Sequence, residues 1–144
     1  MASRNRTLAL ITTAVMTITA ATALAVTPKP GAHGDLLPGP VGSTVVLSMS
    51  VNDDGAIFAV LGNDPDCPTP DGLIKGFRID KEIPVKDNGK FKFDGKTAQN
   101  TSTGNPPKIH VLLKGKFSSS KKASGTYKIE GCDDTRHWET KYFN

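Results

Sequence analysis

Only two cysteines and three histidines occur in the 144 residues, and aromatic side chains make up just 6%. The cysteines, Cys67 and Cys132, are far too separated for a C-x-x-C redox pair. His33, His110 and His137 form neither an H-x₃-H nor an H-E-x-x-H pattern, which speaks against a zinc site. There is no G-x-S-x-G elbow, no phosphate-binding loop and no dinucleotide fingerprint. A hydrolytic triad would need a Ser or Thr beside His137 with Asp133 as its orienter, yet Ser118, Ser119 and Ser120 belong to a turn. Glu82, Glu130 and Glu139 are spaced as strand-surface charges and not as a glycosidase pair. These gaps argue against an enzyme, and no cofactor is implied. Beyond the N-terminus no segment repeats apolar residues at i, i+3 and i+4, so helices are not expected there.

What is present begins with the N-terminus. Arg4 and Arg6 are followed by an uncharged stretch that runs from Thr7 to Lys29, with Leu8, Leu10, Ile11, Val15, Met16 and Ile18 as its apolar centre. Ala23-Leu24-Ala25 has the small-x-small pattern of a cleavage site, so residues 1–25 read as a secretory signal helix cut after Ala25, with Ala23 as the alternative cut. The rival reading is a retained membrane anchor. Five interspersed threonines and the lack of a basic stop-transfer cluster favour cleavage, which predicts a secreted, extracellular product without a membrane segment. Removing the signal leaves 119 residues, room for one domain. Arg4 and Arg6 leave with it, so 16 basic residues face 14 acidic ones and the net charge falls from +4 to +2. The remaining lysines are scattered through predicted strands, so nucleic acid is not an expected partner.

Export to an oxidising compartment predicts a disulfide between Cys67 and Cys132, with two buried free thiols as the alternative. Residues 26–43 hold four prolines and four glycines and read as a disordered Pro/Gly-rich linker. From residue 44 to 144 the texture is short apolar or alternating runs split by turns, the pattern of β-strands. Strands are expected at Thr44–Val51, Ala56–Leu61, Leu73–Ile79, Glu82–Val85, Lys90–Asp94, Lys108–Phe117, Ser124–Glu130 and Arg136–Phe143. Asn52-Asp53-Asp54-Gly55 and Asp87-Asn88-Gly89 are strong hairpin signals. Residues 97–107 form the longest polar loop. Lys108–Phe117 alternates most clearly, with Ile109, Val111, Leu113 and Phe117 on one face and Lys108, His110, Lys114 and Lys116 on the other. Gly89-Lys-Phe-Lys-Phe and Gly125-Thr-Tyr-Lys-Ile share a Gly-x-aromatic-x-apolar start, as two strands entered from similar turns would. The expected fold is all-β: an antiparallel β-sandwich or jelly-roll-like barrel of about eight strands, preceded by the signal helix and linker.

Ile83 to Phe93 (IPVKDNGKFKF), Val111 to Ile129 (VLLKGKFSSSKKASGTYKI), and Cys132 followed by Trp138 carry a resemblance. This second half resembles a β-domain of small secreted proteins from actinobacteria and some other bacteria. An upstream cysteine placed like Cys67, before Gly76-Phe77-Arg78-Ile79, also fits. The resemblance covers roughly the last 65 residues and rests on turns, inward aromatics and a disulfide. It implies a secreted β-sandwich of unassigned function and supplies no catalytic residue.

Three groups of residues are candidates for recognition. Asp64, Asp66 and Asp71 around Cys67, with Asp133 and Asp134 beside Cys132, are oxygen donors suited to calcium; the competing reading is turn formation at two strand ends. Trp138 and Tyr142 would form a sugar-binding platform if outward, or core packing if inward. Lys108, Lys114 and Lys116, with Lys121 and Lys122 at the adjoining turn, could attract an anionic wall polymer or phospholipid, or merely guard an exposed strand against edge pairing. The expectation is a non-enzymatic secreted β-sandwich that binds a cell-surface or extracellular ligand such as a wall polymer. The alternatives are a small extracellular hydrolase and a secreted protease inhibitor presenting Cys67-Pro68-Thr69-Pro70.

Overall fold

Alternation of inward and outward side chains sets the strands, and their hairpins set the order. The computed structural model of the chain describes residues 25–39, 42–100 and 106–143. Residues 1–24 of the expected export segment and 101–105 of the expected polar loop lie outside the described residues. Eight strands follow one another: β1 (Gly31–Gly39), β2 (Gly42–Val51), β3 (Ile57–Pro68), β4 (Ile74–Ile79), β5 (Lys90–Asn100), β6 (Lys108–Ser119), β7 (Lys122–Ile129) and β8 (Arg136–Tyr142). Each pairs antiparallel with the next, and β8 returns to β1 through His33↔Tyr142 and Gly34↔Lys141, closing one barrel. There is no helix among the described residues, and hence none long and apolar enough to cross a membrane.

The all-β class and the antiparallel pairing agree with the sequence. The arrangement differs from the expected sandwich or jelly roll: the strands form a meander in a single closed sheet, without the long crossovers that a jelly roll needs. Two strand assignments explain the difference. Residues 26–43, expected as a disordered linker, supply β1 instead. β1 pairs with β2 along its whole length, from Gly31↔Val51 to Gly39↔Gly42, but with β8 at only two positions. Most of its far side is therefore an edge, where a missing proline N–H leaves no ladder bond unmade. Glu82–Val85, expected as a strand, makes only the Ile57↔Ile83 bridge, because Pro84 has no N–H to continue a ladder.

The core lies inside the ring. On β6, Ile109, Val111, Leu113 and Phe117 are buried while Lys108, His110, Lys114 and Lys116 are exposed. Phe77, Tyr127 and Leu47 fill the interior from β4, β7 and β2. The hairpin turns behave as their sequences require. Gly55 and Gly89 both take φ of 79°, the left-handed region that favours glycine. The Asn52 side chain accepts from the Ala56 N–H at 2.8 Å, and Asn88 accepts from the Lys90 N–H at 3.1 Å.

One end of the barrel is strapped by the residues just before β1. The Val26 N–H donates to the Asp87 carbonyl at 3.0 Å and the Lys29 N–H to the Ser120 carbonyl at 2.8 Å. The Lys29 ammonium sits 4.1 Å from the centre of the Tyr142 ring. His33, placed in the linker by the sequence reading, is fully buried between Phe117 and Tyr142, and its Nε2 donates to the Lys29 carbonyl at 2.9 Å. At the other side, the Cys67–Cys132 disulfide ties the end of β3 to the β7–β8 turn, with Cα atoms 5.7 Å apart.

Candidate functional site

Register between β5, β6 and β7 builds the main surface feature. Lys90 lies opposite Lys116, and Lys116 opposite Ser124; Lys92 lies opposite Lys114, and Lys114 opposite Thr126. Residues directly opposite share a face, so two rows stand side by side on the outer wall, each reading lysine, lysine, hydroxyl. Between them runs the row Phe91, Gly115, Gly125 and Trp138. The side-chain positions of this row face the core, so the outer surface between the two rows is main chain. Pro84 and Lys86, from the segment before β5, close one end. The result is a groove of about 530 Å³ lined by Lys86, Lys90, Lys92, Lys114 and Lys116 and by no carboxylate.

The inner side of the same row explains its glycines. The Phe91 and Trp138 rings lean over them, centroids 6.0 Å apart. A Cβ at Gly115 would lie 2.3 Å from Phe91 Cζ and 2.6 Å from Trp138 Cζ2. The groove floor is therefore thin because the core presses against it from within.

Like charges directly opposite on adjacent strands destabilise a sheet. Lys90 and Lys116 face each other with no anionic partner among the described residues, and Lys114 likewise has none. Lys92 alone is paired, to Asp94 Oδ2 at 2.9 Å, and His110 Nε2 lies 2.9 Å from Asp94 Oδ1. The hydrogen bond from Lys92 holds the Asp94 carboxyl below its ordinary value; desolvation opposes it, while the charge of Lys92 and then the His110 hydrogen bond add to it.

Of the lysines singled out from sequence, Lys114 and Lys116 line this groove, whereas Lys108 and the turn residues Lys121 and Lys122 do not. Lys86, Lys90 and Lys92 were missed. The signal was the period-two alternation in Gly89-Lys-Phe-Lys-Phe, but only the β5–β6 register shows that its lysines meet those of β6. Edge protection has no purpose on β6, which is hydrogen-bonded to β5 on one side and β7 on the other.

The other candidates are placed differently. Trp138 is only 4% exposed and packs in the core, so it offers no outward platform; Tyr142 is half-buried under Lys29. Asp64, Asp66, Asp133 and Asp134 line a hollow of about 230 Å³ beside the disulfide, and Asp71 lies apart in the β3–β4 turn. Arg136 already occupies the space between two of these carboxylates, its Nη2 lying 2.7 Å from both Asp64 Oδ1 and Asp66 Oδ2. Asp64 also stands near Cys67 and Cys132, but sulfurs joined in a disulfide are not thiolates and make no metal site with it. Cys67-Pro68-Thr69-Pro70 enters a closed hairpin in which the Thr69 N–H donates to the Leu73 carbonyl at 2.7 Å.

These features define an eight-stranded antiparallel barrel with a disulfide at one end and a cationic groove on its wall. Comparison of the chain with protein families, curated proteins and solved structures finds no match.

Proposed function

We propose that the protein is an exported binding protein, without catalytic activity, that uses the β5–β7 groove to hold an anionic polymer at or outside the cell surface. The carrying observation is the placement of Lys90 opposite Lys116 and Lys92 opposite Lys114 in a groove that no carboxylate lines. Of these four only Lys92 has an anionic partner among the described residues, so uncompensated like charge remains at Lys90, Lys114 and Lys116, and a ligand that supplies the opposite charge accounts for its concentration here. The disulfide supports the reading, since such bonds persist in oxidising compartments. The outward lysines of β5 and β6 also support it, because a membrane barrel carries an apolar band on that side.

The test is binding of the exported protein to isolated anionic wall polymer, followed at several salt concentrations. Affinity should fall at least about tenfold between 0.01 M and 0.15 M salt, where the screening length shortens from about 30 Å to about 8 Å. The double variant Lys114→Glu/Lys116→Glu should lose binding while its melting temperature rises, because each new carboxylate faces a lysine of β5. Binding that survives both the salt and the charge reversal overturns the proposal.

A further inference from the structure

The groove repeats itself. Its first row is Lys90, Lys116, Ser124 and its second Lys92, Lys114, Thr126, the same chemistry displaced by two residues along the strands. Neighbouring strands are about 4.8 Å apart and alternate residues about 6.7 Å apart, so the four lysine stems rise from the corners of a rectangle of about those dimensions. A site that repeats with a fixed step fits a ligand whose charges repeat with the same step.

Resting on the anionic-polymer reading, we infer that the ligand is a linear phosphodiester polymer with a short polyol spacer, lying along β5 and β6 with successive phosphates between Lys90 and Lys116 and between Lys92 and Lys114. Three observations select it. A three-carbon polyol puts six bonds between successive phosphorus atoms, as many as two residues of extended main chain, so both repeat at about 7 Å. Every cation of the groove is a lysine, a point charge that can meet a phosphate oxygen from any direction, so the spacing of the charges and not a planar fork sets the match. Arg78 and Arg136 lie elsewhere, bound to Asp80 and to Asp64 and Asp66. Finally, the floor is main chain around Gly115 and Gly125, and Phe91, which also lines it, is only 4% exposed, so the floor suits a thin unbranched chain better than stacked sugar rings. Ser124 and Thr126 stand at the ends of the two rows, where their hydroxyls can donate to phosphate oxygens.

The experiment compares three probes on the exported protein by titration calorimetry: deacylated poly(glycerol phosphate), poly-L-glutamate matched in charge number, and vesicles containing phosphatidylglycerol. The phosphodiester polymer should bind at least about tenfold tighter than polyglutamate, because its charges repeat with the step of the lysine pairs. Lys90→Ala/Lys116→Ala and Lys92→Ala/Lys114→Ala should each weaken it severalfold, whereas Lys108→Ala, on the same face of β6 but outside the rectangle, should leave it unchanged. If polyglutamate binds as well and the groove variants lose it, the phosphodiester inference falls while the anionic-polymer reading stands. Binding to vesicles without binding to the soluble polymer also overturns the inference. If neither polymer binds, or the groove variants bind like the parent, both fail.

Discussion

Gly125 is the position where a single methyl group tests the architecture most severely. A Cβ there would lie 2.0 Å from the Lys114 carbonyl oxygen, 2.7 Å from Gly115 Cα and 2.7 Å from Trp138 Cζ2. The first two are main-chain atoms of β6, so no rotamer change relieves them: β6 and β7 must part, and Trp138 must also shift from its place beside Phe91. Overpacking a core costs typically 1–3 kcal/mol, and obstruction by main chain puts Gly125→Ala near the top, at about 3 kcal/mol. For a domain of this size that corresponds to a fall in melting temperature of roughly 10 °C. Gly115→Ala meets only the ring tips of Phe91 and Trp138 on the inner side, which can tilt, and should cost about 1–2 kcal/mol. Gly72→Ala has nothing within 4 Å and suffers only from its φ of 79°, worth about 1 kcal/mol. Urea unfolding followed by fluorescence reads all three, because Trp138 is the chain's only tryptophan. If Gly125→Ala unfolds within about 0.5 kcal/mol of the parent, or is milder than Gly72→Ala, the close packing of Phe91, Gly115, Gly125 and Trp138 is refuted.

Four further perturbations address other parts of the barrel. Replacing both Cys67 and Cys132 by serine opens a loop with a sequence separation of 65 and should lower unfolding free energy by about 4 kcal/mol on the chain-entropy estimate; a loss below about 1 kcal/mol in equilibrium denaturation would contradict it. Arg136→Met removes the cation from Asp64, whose side chain is only 2% exposed, and should cost about 3 kcal/mol. Asp66→Asn, at a side chain 72% exposed, should change unfolding free energy by less than about 1 kcal/mol; equal effects of the two would remove the buried pair as a structural element. NMR titration of Asp94 should give a pKa below its ordinary 3.8, rising when Lys92 is replaced by Met. Because folding favours the ionised form, the associated stabilisation is present above that ordinary value and is lost as pH falls through the lowered one. An Asp94 titration unmoved by Lys92→Met would show that the lysine does not hold it.

How much of this was legible in the sequence depended on whether the deciding interactions were local. Asn52–Gly55 and Asp87–Gly89 form turns because their own residues accept the required hydrogen bonds and tolerate the required φ. The alternation of β6 reads directly because one face is buried and the other wet. The cysteine pairing followed from having only two cysteines and from the expectation of export. By contrast, β1 was hidden by its composition: Pro38, Gly31, Gly34 and Gly39 look like a linker unless it is known that β2 supplies one complete partner and that little is asked of the other side. Without β1 the strands cannot close, so a sandwich was the natural inference. β5 was cut short at Asp94, although its polar second half, up to Asn100, pairs with β4 and β6. The groove was half legible. Lys114 and Lys116 announced themselves by period, but their opposition to Lys90 and Lys92 is a property of register between strands joined through a long polar connection, and no local pattern encodes it.

Core and surface are coupled at the row Phe91, Gly115, Gly125, Trp138. On the inner side, two aromatic rings meet above two glycines, and the space they fill exists only because neither glycine has a side chain. On the outer side, the same main chain is the floor between the lysine rows. Closure of the barrel adds a second condition. In an open sheet, lysines on a strand can be explained as protection of an edge, but β6 has no free edge, so that explanation lapses for Lys114 and Lys116. What is left is a set of mutually repelling charges held in register by one of the most extensively paired parts of the molecule. Relieving the repulsion by charge reversal and losing the ligand should therefore go together, whereas a purely structural role for these lysines would make the same reversal neutral or harmful to both.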